Sequence, residues 1–201
     1  MLKIGITGNI GSGKTTASRL FEILGIPVFY SDAEAKKVMV NDHQLINSIK
    51  EHFGTDAYFA DGSLNRKLIA GVVFNNEAEL HKLNALVHPA VFRAFDQWVL
   101  QYPDAPYVLK EAAVLFESGS YKDCDYTIVV TAPTDMRIAR VVQRDGITNA
   151  EAQSREAKQM PQDQKQQLAS YTINNDNTQL VIPQALAIHR ELSAHAGHIL
   201  T

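Results

Sequence analysis

Short apolar runs alternate with helical patterns along this chain of 201 residues. The runs are nearly continuous, as expected of parallel strands that are buried on both faces. We predict strands at 2–7, 27–30, 107–109, 126–131 and 171–173, with helices at 14–24, within 32–100, at 133–144 and at 180–195. Strands that alternate with helices indicate an α/β three-layer fold, with a mostly parallel five-stranded sheet and helices on both faces.

The longest connection, 32–104, joins the second and third predicted strands and is mainly helical in pattern. Its apolar residues recur at helical spacing in the series Leu80, Leu83, Leu86, Val87, Val91, Phe95 and Val99. Pro89 is expected to kink or interrupt this helix. A helical insertion of this length is a natural lobe for a second substrate, although packing alone would also account for it.

A glutamine-rich stretch at 145–170 has few apolar residues that could anchor it in a core. Its glutamines are Gln153, Gln159, Gln162, Gln164, Gln166 and Gln167. We predict a solvated helical lid there, within a single domain that spans 1–201, since no linker separates independent parts.

A glycine-rich segment directly follows the first predicted strand and opens the first predicted helix. Residues 8–15 fill the pattern G-x-x-x-x-G-K-[ST] without a mismatch, and we call them the phosphate loop. Backbone N–H groups of such a loop surround a phosphate, a lysine reaches the outer phosphates, and a hydroxyl contacts Mg²⁺. Lys14 and Thr15 supply the last two groups. The residues expected to contact ATP are Gly8, Asn9, Ile10, Gly11, Ser12, Gly13, Lys14, Thr15 and Thr16.

Two carboxylates follow other predicted strands, where ligands of parallel sheets collect. Asp32 comes after the second strand and fits a base that accepts or orients a substrate hydroxyl; a helix N-cap would have the same sequence. Glu111 comes after the third strand and fits either a residue on the magnesium side of the site or a surface carboxylate.

Arginines recur at helical spacing after the fourth predicted strand. Arg137, Arg140 and Arg144 share one helical face, and Arg155 follows in the lid. Arginines clamp the charge of a phosphoryl group during transfer, and Arg140 and Arg144 are the strongest candidates for this role. A solvated basic face is the alternative.

The composition and the net charge argue against several classes of function. A net charge of −3 argues against a general nucleic-acid or membrane-surface binder, so positive charge must be gathered locally. The single cysteine, Cys124, cannot form an internal disulfide and is typical of a reducing cytoplasm. The apolar run at 2–7 is too short for a signal peptide, no run could span a bilayer, and the histidines show no zinc pattern. We therefore expect a cytoplasmic location.

Together these landmarks resemble the dephospho-coenzyme A kinases, in family order and over nearly the whole chain. They are Ile4-Gly5-Ile6-Thr7 with the phosphate loop and Thr16, Leu24-Gly25-Ile26-Pro27-Val28 with Asp32, His88-Pro89, Leu115-Phe116-Glu117, Arg140 with Arg144-Asp145-Gly146, Arg155 through Gln159-Met160-Pro161, and Tyr171-Thr172-Ile173-Asn174-Asn175.

The resemblance implies a nucleotide-kinase-like core that phosphorylates the ribose 3′-hydroxyl of dephospho-CoA with ATP and Mg²⁺, giving CoA and ADP. It implies that Asp32 is the base, that Lys14 and the loop amides hold the β- and γ-phosphates, and that Arg140 clamps them. His88 would lie in the lobe that binds the acceptor, and Asn175 near the adenine of ATP. We place Asp32, His88, Glu111 and Arg155 on the acceptor side, and Arg144 with ATP. A monomer or weak homo-oligomer is expected.

This chain departs from the family pattern at three places. Tyr30-Ser31-Asp32 replaces Asp-Ala-Asp, Ala113-Val114 replaces Pro-Leu, and Asn174 replaces an aspartate. These changes leave the phosphate residues intact and bear on contacts with the acceptor.

Two other functions compete with this interpretation. A nucleoside, nucleotide or shikimate kinase would share the loop and the lid, and fold alone does not separate them. A regulatory GTPase is disfavoured because the chain has neither Asn-Lys-x-Asp nor Asp-x-x-Gly.

Overall fold

Five parallel strands form one sheet, and they lie where the apolar runs predict strands. The computed structural model describes residues 1–74 and 76–199, and within them the strands are β1 (Leu2–Thr7), β2 (Val28–Tyr30), β3 (Tyr107–Glu111), β4 (Tyr126–Thr131) and β5 (Tyr171–Asn174). The α/β prediction is confirmed. The main difference is at β3, which continues to Glu111 and so brings that carboxylate onto the sheet.

The order of the strands is β2-β3-β1-β4-β5. The chain leaves β1 toward β2 on one side, and it leaves β3 toward β4 on the other. Because β1 and β3 are neighbours whose connections run in opposite directions, a switch point lies between their carboxyl ends, where parallel sheets bind ligands. The register pairs Ile6 of β1 with Glu111 of β3.

The helices also follow the predicted pattern. They are α1 (Lys14–Ile23), α2 (Ser31–Asn41), α3 (His43–Phe53), α4 (Arg66–Val73), α5 (Glu77–Val99), α6 (Thr134–Asp145), α7 (Asn149–Glu156), α8 (Gln162–Leu168) and α9 (Val181–Ile199). Among residues 1–74 and 76–199, no helix is both long enough and apolar enough to cross a bilayer.

The chain divides into two units. The sheet unit comprises Met1–Tyr30 with Tyr102–Thr201, and the helical unit is Ser31–Gln101. In the sheet unit, alternate strand residues such as Ile4, Ile128 and Ile173 pack with Phe21 of α1 and Leu192 of α9. Burial of this apolar surface is the main force that holds α1 against the sheet and so fixes the start of α1 next to the end of β1.

The helical unit consists of α2 to α5. Asp42 caps α3 by accepting a hydrogen bond from the amide of Leu45 at 2.9 Å, and it also pairs with Arg93 of α5 at 2.6 Å. The helix α5 runs without a break through Pro89, so the expected interruption there does not occur. Its buried stripe includes Leu83, Val87 and Phe95, as the apolar spacing predicts.

The predicted lid contains α7 and α8. A capping box between Thr148 and Glu151 begins α7, and the buried Ala152 packs with Ile138 and Val141 of α6. Lys165 of α8 is fully buried. The segment is therefore held within the sheet unit by buried polar side chains as well as by apolar ones, and the apolar pattern could not reveal the polar contribution.

Candidate active site

Residues 8–13 form a tight turn between β1 and α1. The amide of Ser12 donates to the carbonyl of Asn9 at 3.0 Å, and both Gly11 (φ 77°) and Gly13 (φ 93°) adopt left-handed backbone conformations. A Cβ atom at Gly11 would collide with the backbone carbonyl of Arg137. Only glycine fits there, because other residues would pay for both the backbone conformation and the collision.

Side chains from distant segments bind the carbonyl groups of this turn. Arg137 donates to the carbonyl of Ile10 at 3.4 Å, and Arg140 donates to that of Gly11 at 3.4 Å. Asn175 donates to the carbonyl of Ser12 at 2.8 Å.

These contacts orient the turn's amides. Within one peptide unit the N–H points opposite to the C=O. With the carbonyls of Ile10 and Ser12 held by outside side chains, the amides of Gly11 and Gly13 face the other side of the turn. Together with the N-terminus of α1, they form a concave array of donors suited to a phosphate group.

Lys14 and Glu111 meet at the switch point between β1 and β3. The Nζ atom of Lys14 lies 2.9 Å from Oε1 of Glu111, whose side chain is only 6% exposed. The second carboxylate oxygen, Oε2, is buried and has no hydrogen-bond partner among residues 1–74 and 76–199. A buried carboxylate oxygen in this position is a good ligand for a hard cation.

The hydroxyl-bearing residues next to Lys14 are exposed. Thr15 and Thr16 lie in the first turn of α1. In the part of the chain that the structure describes, no cluster of three or more His, Cys, Asp or Glu residues could hold a metal ion.

Arg140 joins two loops of the sheet unit. Besides Gly11, its guanidinium donates to the carbonyl of Asn175 at 3.1 Å and to Oδ1 of Asn177 at 3.5 Å. The side-chain amide of Asn175 donates to the carbonyl of Ser12, so Arg140 and Asn175, which were both expected at the nucleotide, hold the shape of the phosphate loop.

Arg137 proves to be part of the site's framework, whereas sequence reasoning favoured its neighbours. It is buried, pairs with Glu156 of α7 at 2.6 Å, and donates to the carbonyl of Ala132 at 2.9 Å. In contrast, Arg144 and Arg155 are exposed, and both bind Asp145, at 2.7 and 3.1 Å. The hydrogen bond from Arg144 is the main reason that the pKa of Asp145 lies below its usual value.

Two lid residues at this site were not predicted. Glu156 accepts a hydrogen bond from the Asn9 side chain at 3.0 Å, and Gln159 accepts one from the backbone amide of Ile10 at 2.7 Å. The amide of Ile10 is therefore occupied by a side chain. The run Gln159-Met160-Pro161, part of the resemblance noted above, was the only sequence signal for this contact.

Two expected acceptor-side residues belong to the helical unit. Asp32 lies in the first turn of α2, which begins directly after β2. His88 is half-buried on α5, and its ring stacks on Phe92 with the centroids 6.4 Å apart. Their roles stay predictions.

Cys124 directly follows the short helix at Ser120–Asp123, and its thiol donates to the carbonyl of Ser120 at 3.6 Å. Burial raises the pKa of its thiol to about 11. It is therefore protonated near neutral pH and a poor nucleophile.

Comparisons with known proteins give the chain's family. The family model described as dephospho-CoA kinase matches residues 2–180. A dephospho-CoA kinase of Bacteroides fragilis is 36% identical over 187 residues, which cover 93% of this chain and 91% of the relative. One of Salinibacter ruber is 38% identical over 180 residues, covering 89% and 90% of the two chains.

Solved structures with a similar fold cover nearly the whole chain. The protein TT1252 from Thermus thermophilus superposes with a TM-score of 0.80 at 35% identity, covering 95% of this chain and 97% of that one. The dephospho-CoA kinase from Campylobacter jejuni gives a TM-score of 0.70 at 23% identity, with coverages of 96% and 98%. At such identity the likeness concerns the fold alone.

Proposed function

The chain belongs to the dephospho-CoA kinase family, and from this premise we propose which residues carry out each part of its reaction. The chain is a kinase of coenzyme A biosynthesis that phosphorylates the ribose 3′-hydroxyl of dephospho-CoA with ATP, giving CoA and ADP. The family match favours this acceptor over the nucleoside, nucleotide and shikimate kinases that share the phosphate loop.

The phosphate loop and Lys14 hold the β- and γ-phosphates of ATP. The observation that supports this assignment is the position of Lys14, whose Nζ atom lies 2.9 Å from Glu111 at the switch point. The neighbouring turn has its carbonyl groups bound by side chains from other segments, among them Asn175. Charge on the phosphoryl oxygens grows toward the transition state, and an ammonium group with fixed amides stabilises that charge without reorganisation.

Arg140 acts beside Lys14 on the same phosphates. Its guanidinium is held through Gly11 and Asn175, so it is oriented before ATP arrives. Arg144, the other ATP-binding candidate, and Arg155, a candidate for the acceptor, are held by Asp145. An arriving anionic group would replace this carboxylate as their partner.

Asp32 is the base that accepts the proton of the acceptor hydroxyl. It stands at the start of α2, two residues after Tyr30, and Tyr30 is in register with Glu111. The 3′-oxygen attacks the γ-phosphorus in line, the bond to the ADP oxygen breaks, and the proton of the hydroxyl passes to the Asp32 carboxylate. His88 of α5 contributes to the binding of dephospho-CoA, and Asn175 borders the adenine of ATP.

ATP-dependent phosphoryl transfer implies a divalent metal, and we take it to be Mg²⁺. The exposed hydroxyl of Thr15 and the unpartnered oxygen of Glu111 fit such a hard cation. When bound, the ion neutralises charge on the phosphate oxygens of ATP.

We also expect a cytoplasmic monomer or weak homo-oligomer. A nucleic-acid partner is not expected, in line with the net charge of −3.

The test is detection of product by mass spectrometry. Purified protein is incubated with ATP, MgCl₂ and dephospho-CoA, and CoA is expected. Parallel reactions contain AMP or shikimate in place of dephospho-CoA. Faster phosphorylation of either compound would overturn the assignment of the acceptor.

A further inference from the structure

A segment of the lid forms the outer support of the phosphate loop. In this segment, 156–160, the side-chain oxygen of Gln159 accepts the hydrogen bond of the Ile10 amide at 2.7 Å. This is the shortest of the hydrogen bonds described above that outside side chains make to the turn's backbone. The side chain of Gln159 is half-buried, so water competes only partly for the amide.

The same segment contacts the residue before Ile10. The amide nitrogen of the Asn9 side chain donates to Oε1 of Glu156 at 3.0 Å and to the carbonyl of Met160 at 3.1 Å. The peptide that joins Asn9 to Ile10 is therefore bound both at its N–H group and through the neighbouring side chain.

The other side of Ile10 is held through Arg137. This arginine donates to the carbonyl of Ile10 at 3.4 Å and pairs with Glu156 at 2.6 Å. Glu156 thus contacts both the Asn9 side chain and Arg137, which is the residue that donates to the carbonyl of Ile10. Two successive peptides of the loop depend on the lid segment for their orientation.

The lid segment is itself fixed. The amide of Met160 donates to Oε1 of Glu117 at 3.0 Å, and the buried Lys165 pairs with the same oxygen at 2.9 Å. Gln159 is thus held between two anchored neighbours, Glu156 and Met160. A glutamine fixed in this way presents its oxygen to Ile10 with little loss of side-chain entropy.

We propose that Gln159 is a positioning residue for phosphoryl transfer: it holds the peptide before Ile10 so that the next amide, that of Gly11, faces the phosphates of ATP. This proposal rests on the proposed function of the phosphate loop. Without this acceptor the Ile10 amide turns toward water, the loop samples other peptide orientations, and only a fraction of the molecules keep the binding form. The apparent affinity for ATP is then the intrinsic affinity multiplied by that fraction.

The structure offers a matched control three residues along the chain. Gln162 is also half-buried, and its side-chain oxygen accepts the amide of Ala132 at 3.1 Å, outside the phosphate loop. Gln159→Leu and Gln162→Leu each remove one hydrogen bond that a backbone amide donates to a glutamine oxygen. Only the first removes a bond to the phosphate loop.

The experiment compares these two variants with the wild type by calorimetric titration with ATP and MgCl₂, and by steady-state kinetics. For Gln159→Leu we expect about a tenfold weaker Kd for ATP and a lower kcat, with KM for dephospho-CoA unchanged. Gln162→Leu is expected to bind ATP as the wild type does. Equal losses in both variants, or none in Gln159→Leu, would overturn the proposal.

A second readout does not depend on turnover. Hydrogen exchange of the Ile10 amide, followed by NMR, is expected to accelerate in Gln159→Leu, to stay slow in Gln162→Leu, and to slow again in Gln159→Glu, which restores an acceptor oxygen. Unchanged exchange in Gln159→Leu contradicts the proposal. A wild type that binds ATP but forms no CoA would refute the proposed function and leave these comparisons valid.

Discussion

The ammonium group of Lys14 lies 2.9 Å from the carboxylate of Glu111, although 97 positions separate the two residues in the chain. They meet because β1 and β3 are neighbours in the sheet and end at the same edge. The carboxylate holds the ammonium group at the edge of the sheet where the connections of the two strands diverge. This pair is the centre of the proposed active site.

Lys14→Ala is expected to lower kcat by about 100-fold or more, because the ammonium charge no longer stabilises the transferred phosphoryl group. Lys122→Ala, an exposed lysine on the short helix at Ser120–Asp123, serves as the control and is expected to leave kcat unchanged. Steady-state kinetics with ATP and dephospho-CoA measure both variants. Near-normal turnover in Lys14→Ala would contradict the role given to this residue.

Asp32→Asn is expected to lower kcat by about 100-fold while the Kd for ATP changes little, because the amide cannot take the proton of the hydroxyl. Glu34→Gln is the matched control, since Glu34 lies in the same first turn of α2 and pairs with Lys37. Both changes remove one negative charge from that helix end. If Asp32 served only as a helix cap, Asp32→Asn would keep normal turnover, because asparagine caps a helix about as well as aspartate, and a loss of about 1 kcal/mol of stability would appear only in Asp32→Ala.

Thr15→Val is expected to raise the MgCl₂ concentration that gives half-maximal turnover, because the variant keeps the shape of the side chain and loses the hydroxyl ligand. Thr15→Ser keeps a hydroxyl and is expected to behave like the wild type. Chelation by EDTA should stop turnover in all three proteins. The idea fails if Thr15→Val has the same MgCl₂ dependence as the wild type.

Glu117→Leu is expected to destabilise the fold more than Lys165→Met. The ammonium group of Lys165 is fully buried and bonds to Glu117 at 2.9 Å and to the carbonyl of Ala113 at 3.3 Å, whereas Glu117 is 24% exposed. Removing the carboxylate leaves the buried ammonium charge of Lys165 without its ion-pair partner, which lowers the free energy of unfolding by about 3 kcal/mol or more. Replacing the lysine by an apolar side chain lowers it less, because no buried charge is left unpaired. Urea unfolding measures both. The reverse order would show that this pair does not anchor α8.

The stability of the fold is expected to fall as the pH drops from about 7.5 to 5.5, in part through His189. Burial, together with the charge of Arg190, holds the pKa of His189 below its usual value, and its Nδ1 lies 2.8 Å from the hydroxyl of Tyr107. The unfolded chain therefore binds a proton at this histidine more readily than the folded protein does. The contribution of neutral His189 to the unfolding free energy is complete above the unfolded pKa of about 6.5, and it is lost as the pH falls below that value. His189→Gln should show a smaller change in unfolding free energy over this range. An equal change in both proteins contradicts this contribution.

Several residues show how far reasoning from the sequence reached. The phosphate loop and Lys14 were found from a local pattern, and the strand and helix around them confirm its context. Arg137, Glu156 and Gln159 were missed or ranked low. Each contacts a partner on another element, and apart from the run Gln159-Met160-Pro161 the neighbouring residues give no sign of such a partner.

The lid illustrates the same limit. Its glutamines predicted a solvated segment, yet Gln159 and Gln162 bind backbone amides of other loops, and the lysine at 165 is buried. A polar side chain in a sequence pattern indicates exposure on average, whereas in the fold it can be buried wherever hydrogen-bond partners meet it.

The sequence by itself determined the strands, the helices and the glycine-rich turn, because these depend on the spacing of apolar residues and on backbone conformations that only glycine adopts easily. The tertiary structure decided which side chains meet at the turn. Strand order brings Glu111 to Lys14, and the packing of distant segments brings Gln159 and Asn175 to the loop. Such contacts depend on the arrangement of the whole chain in space, which no short run of residues encodes.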